Sequence, residues 1–172
     1  MTMVLDGDGL VSYGVPNIRP VQNASGSAVE FTSIPSGTKR ITLILNGVSM
    51  SGTTSALIQA GTGSTTYTTS GYLGSYGYFS NGGTPTTAQS TSGFTVFSNN
   101  ATYVMSGLFV LTNISGNNWV GAGTFTTNNA STTNFQNWNS GSIALGAALT
   151  AIRVTSTGAD TLDAGTINIL YE

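Results

Sequence analysis

From residue 28 onward, apolar and polar side chains alternate with a period of two, and Gly, Pro or Asn breaks the alternation roughly every ten residues. A strand shows successive side chains to opposite faces, so this period predicts half-buried strands. No stretch has the 3.6-residue period of a helix. The clearest strand is predicted over residues 39–46, with Ile41, Leu43 and Leu45 on one face and Thr42, Ile44 and Asn46 on the other. Residues 103–112 alternate similarly, but both faces are apolar: Tyr103, Met105, Phe109 and Leu111 oppose Val104, Leu108 and Val110. Such a strand lies in the middle of a two-sheet packing or turns one face to a partner subunit.

A turn at Gly116 and Asn117 leads into a strand over 118–126, where Trp119 and Phe125 flank Gly121 and Gly123. Residues 151–156 and 166–171 are expected to form another hairpin. The last strand, with Ile167, Ile169 and Tyr171 on one face, is expected inside a sheet. Weaker strands are expected over 29–34, 56–60, 68–73, 94–97 and 143–149. The count of eight to ten strands predicts an all-β, jelly-roll-like antiparallel β-sandwich over residues 27–172. Residues 1–26 contain Gly7, Gly9, Gly14, Pro16 and Pro20 and are read as a short extended N-terminal arm. Val4, Leu5, Leu10, Val11, Val15, Ile18 and Val21 suit it to binding another protein.

The 172 residues include four basic and six acidic ones, no His and no Cys, giving a net charge of −2. Triad and thiolate chemistry therefore have no residues to work with, and no cofactor is expected. A phosphate backbone needs several cations, so nucleic acid is not an expected partner. No apolar run approaches the ~20 residues that span a bilayer, so no membrane is expected either. A hydrophobic fraction of 39% and a mean hydropathy of +0.12 indicate a chain that folds.

Asp160 and Asp163 are the close carboxylate pair of the folded region, and their glycine-flanked setting reads as turn chemistry, not catalysis. No catalytic residue is assigned. The run Asp6-Gly7-Asp8-Gly9 lacks the Glu and the flanking helices of a calcium loop, so no metal is assigned. The sequons at Asn23, Asn100, Asn113 and Asn129 follow from an Asn-, Ser- and Thr-rich composition.

Two aromatic groups are candidates for surface recognition: Tyr67, Tyr72, Tyr76, Tyr78 and Phe79, and Phe135 with Trp138 in an Asn-rich loop. The plainer and preferred reading is that they pack on the sandwich or seal a subunit interface.

The strings FTSIPSGTKRITLILNGVSM at 31–50, SGYLG at 70–74 and DTLDAGTINILYE at 160–172 resemble a β-rich module of tailed-bacteriophage virion proteins, over about residues 28–172. The resemblance implies a non-enzymatic virion surface protein, assembled in the bacterial host cytoplasm and often homotrimeric. Two roles follow: a capsid decoration or cement protein held to the major capsid protein through the arm, or a tail-fibre or spike component binding host surface glycans. The shortness of the arm favours the first.

Overall fold

The computed structural model describes residues 3–6, 9–12, 16–129 and 134–172, the first two segments as backbone only. All pairings among the described strands are antiparallel, and the domain consists of two sheets packed together. The smaller sheet has the order β10-β7-β14-β5, built from β5 (Ala28–Phe31), β7 (Ala56–Gly61), β10 (Phe94–Val96) and β14 (Ala151–Ser156). The larger is nine-stranded. Its central strands are β6 (Arg40–Met50), β11 (Val104–Ser115), β12 (Asn118–Asn128) and β13 (Asn134–Ala144). On one side of these lie β8 (Leu73–Ser80) and the edge strand β9 (Thr86–Ser90). On the other lies β15 (Leu162–Tyr171), which also pairs with the short β3 (Asn17–Ile18) and β4 (Gln22–Asn23).

The alternation read from the sequence decides which side chains meet. Ile41, Leu43 and Leu45 of β6, Met105, Phe109 and Leu111 of β11, and Ile167 and Ile169 of β15 are all buried, facing Ile58, Phe94, Ile152 and Val154 of the smaller sheet. Trp119 and Phe125 of β12 join them. The glycines between these two make room for rings: a Cβ on Gly121 would lie 2.3 Å from Phe109 Cζ, and one on Gly123 2.7 Å from Phe125 Cε2. β6 and β15 both bulge where they cross. Gly165, at φ +89°, brings its backbone against Gly47, whose N–H donates to Ser106 Oγ at 2.9 Å.

Four expectations change. Residues 151–156 and 166–171 are not the expected hairpin: β14 pairs with β5 and β7, while β15 pairs with β6 in the other sheet. The strand expected at 68–73 lies further on, as β8. The strand expected at 143–149 is displaced backwards, because the Asn-rich segment around Phe135 and Trp138 is not a loop but β13. Its inward positions hold Asn137 and Asn139, whose amides donate to the carbonyls of Phe97 (3.3 Å) and Thr95 (2.9 Å). These bonds tie the larger sheet to β10 and its exit. Finally, the described residues of the segment 1–26 do not run as one extended arm. β1 (Met3–Asp6) and β2 (Gly9–Ser12) fold back into a two-stranded sheet, and β3 and β4 lie along β15, with Ala24 buried.

β15 is flanked on both sides, as expected for the last strand.

Candidate recognition face

The outward side of the nine-stranded sheet exposes several large apolar side chains. Leu108 of β11 is 51% exposed, with Val104 exposed and Val110 half-buried beside it. The register sets Leu108 opposite Thr124, Val110 opposite Ala122 and Thr112 opposite Val120. On the other flank Ile44 lies opposite Leu108. A shallow trough of about 410 Å³ runs between Leu108, Val110, Ala122 and Thr124. At the end of the sheet Ile114, Leu73 and Val120 are exposed, and a second trough of about 440 Å³ is lined by Leu73 and Ile114.

No charged residue lies between Arg40 and Arg153 in the sequence, so β11, β12, β13, β8 and β9 carry none. The charges flank these strands, Arg40 lying opposite Thr112 at the end of β6. Arg40 pairs with Glu172 at 3.7 Å and Arg153 with Glu30 at 3.8 Å. Edge strands are commonly blunted by charge, but β9 is made only of Thr, Ala, Gln and Ser.

The predicted aromatic residues part company. Tyr72 is not on the surface: it is 1% exposed, its hydroxyl accepts the Ala60 N–H at 2.9 Å, and its ring meets Phe94 edge-on at 5.3 Å. Burial pushes its phenol up to about 12. Tyr67 lies under the Arg153 guanidinium, 4.3 Å from its ring, against Gly61. Burial first, and the Glu30 carboxylate second, raise its phenol to about 12. Tyr78 stacks on Phe97 with centroids 3.6 Å apart, and both pack with Tyr103, Phe135 and Tyr76 in a second small cluster. These five placements fit packing. Phe79 and Trp138 alone of the predicted set turn outward, 42% and 37% exposed, with centroids 6.0 Å apart.

Of the predicted arm residues, Ile18 is exposed on β3. Val4 pairs with Val11 and Leu5 with Leu10 in backbone register, while Val15 lies outside the described residues. Residues 16–26 are held by their own sheet: the Arg19 N–H donates to Ile169 O at 3.1 Å, and its guanidinium donates to Ser33 O at 2.6 Å.

Asp160 accepts the Thr54 N–H at 2.8 Å, which lowers its pKa, and Asp163 accepts the Ser49 hydroxyl. Each carboxylate thus serves a separate loop or strand contact. In the Asp6–Gly9 run, Asp6 and Gly9 are backbone partners, and Gly7 and Asp8 lie outside the described residues. Among the described residues no three His, Cys, Asp or Glu side chains group to hold a metal ion, and no helix is long and apolar enough to cross a membrane.

Leu73, Ile114 and Val120 were not singled out by sequence reasoning. The signal that finds them is an apolar residue at the parity opposite to its buried neighbours, as in Val120 between Trp119 and Gly121. Compared with protein-family models, with curated proteins and with solved structures, the chain finds no match.

Proposed function

We propose that this protein is a non-enzymatic structural component of a tailed-bacteriophage virion, a decoration or cement protein that assembles as a homotrimer on the capsid shell. The observation that carries the reading is the outer face of β8, β11, β12 and β13, which has no charged residue and leaves Leu108, Val120, Leu73 and Ile114 open to solvent. A monomer gains nothing by exposing contiguous apolar side chains, whereas subunits that bury them gain about 25 cal/mol per Å². Burial there also removes no ion from water, a step that costs several kcal/mol per charge. The phage setting comes from the likeness of residues 31–50, 70–74 and 160–172 to virion modules.

The jelly-roll-like winding belongs to the same proposal. Its support is the nested pairing of β6 with β15, β7 with β14, β8 with β13 and β11 with β12, first with last inward to the middle. The sharing of strands between sheets is uneven, since three of these four pairs lie in the larger one.

On a shell, the protein would stabilise by mass action, binding the assembled state and not the open one. The β1–β2 hairpin is the proposed contact with the major capsid protein. Cryo-electron microscopy of the parent particle with the protein labelled is expected to place it where capsomers meet, and deletion of residues 2–12 to release it while the sandwich stays folded. Label confined to the tail, or absent from the particle, would overturn the reading.

A further inference from the structure

We propose that Trp138 and Phe79 form a stacking platform for an uncharged carbohydrate. Trp138 on β13 sits opposite Gly77 on β8, and the indole lies across that glycine: a Cβ there would be 2.5 Å from indole Cε2 and Cζ2. One face of the ring is thus seated on backbone, which fixes its orientation, and 37% of the residue remains open. Phe79 stands beside it, opposite Gln136, with ring centroids 6.0 Å apart. Two adjacent aromatic rings, one held flat on a rigid sheet, give a surface with little conformational entropy left to lose on binding.

The surroundings select the ligand. By register and exposure, Thr124, Gln136, Ser140, Ser75 and Thr87 present hydroxyls and amides on the same face around the two rings. An aromatic platform can stack a nucleobase, bind a cation over its face or take the C–H face of a sugar. A nucleic acid needs Lys or Arg for its phosphates, and β11, β12, β13, β8 and β9 have neither. A cationic ligand is normally matched by acidic side chains, and these strands have none. A neutral, hydroxyl-rich sugar matches both the rings and the rim, with C–H groups on the π-faces and hydroxyls on Gln, Ser and Thr. The inference does not rest on the assembly reading, because it uses the Trp138 and Phe79 rings and not Leu108 or Val120, although Thr124, opposite both Leu108 and Trp138, borders the two regions.

The test is an array of neutral and acidic oligosaccharides, followed by titration of the strongest neutral hit with tryptophan fluorescence. Trp119 is 3% exposed, so a fluorescence change on binding reports Trp138. Trp138→Ala is expected to weaken binding about tenfold or more, Phe79→Ala less, and Trp138→Phe to keep part of it. Gly77→Val, which unseats the indole, should weaken binding without touching either ring. Leu108→Lys should leave it unchanged, which separates this site from the proposed subunit interface. An array blank for neutral sugars, or a neutral hit bound equally by wild type, Trp138→Ala and Phe79→Ala, would overturn the proposal.

Discussion

Across the outer face of the larger sheet, β11 and β12 present Leu108, Val110, Val120 and Ala122, whereas β13 and β8 present Trp138 and Phe79 among Ser, Thr and Gln. Their undersides differ too. Beneath the aliphatic half lie Phe109, Leu111, Trp119 and Phe125, all buried carbon except for the indole N–H. Beneath the aromatic half, Asn137 and Asn139 hydrogen-bond to backbone carbonyls in and just after β10. The comparison teaches that one continuous sheet is anchored by two kinds of force. The aliphatic half is anchored by non-directional burial alone, whereas the aromatic half adds directional bonds, which fix position, to its own buried cluster of Tyr78, Phe97 and Phe135.

The largest expected effect tests the first half. Phe109→Ala should cost about 3–5 kcal/mol of unfolding free energy, because the ring fills the space left by Gly121 and touches Phe94. Denaturant unfolding measures it. A loss of the size seen at surface positions would break the claim that this half is held by its core.

The second half is probed by Asn139→Ala, which removes the donor to Thr95 O and leaves a buried carbonyl unpaired. A loss of about 1–3 kcal/mol is expected. Comparable in size is Tyr72→Phe, which strips the Ala60 N–H of its acceptor. Tyr72 also sets an alkaline limit. Its folded pKa, about 12, is above the ordinary 10.0, so its contribution is intact below pH 10 and is lost as pH rises from there through 12. Tyr67 adds to the same fall. Unfolding midpoints followed from pH 9 to 12 should drop less steeply in Tyr72→Phe than in the wild type.

The smallest effect sharpens the contrast between inner and outer faces. Leu108→Ala, measured on dissociated chains, should change stability by only about 0.5 kcal/mol. A loss close to that of Phe109→Ala would mean that the outer side chains are structural and not held open for partners.

Much of the fold was legible because the aliphatic half obeys the two-residue period on both faces. In residues 103–112 the reading already separated Met105, Phe109 and Leu111 from Val104, Leu108 and Val110, and the structure buries the first set. The same rule hid β13, where asparagines occupy the inward positions and mimic a loop composition. β8 was misplaced because Gly74 and Gly77 interrupt its alternation. The false hairpin of 151–156 with the last strand came from the usual adjacency of consecutive strands, which fails when the chain crosses from one sheet to the other. The aromatic candidates were legible as a group but not as individuals. Tyr72 and Trp138 are separated by what lies across the neighbouring strand, and sequence order does not reveal that partner.

The central proposal is that the uncharged aliphatic half is covered by further copies of this chain. Light scattering on the purified protein over a wide dilution series tests it most directly, against a single-chain mass of 17.6 kDa. A mass of three chains is expected for the wild type and of one chain for the Leu108→Lys, Val120→Lys double variant, with the fold intact in both. A wild type that keeps the single-chain mass at every concentration, or a double variant that keeps the trimer, would contradict it.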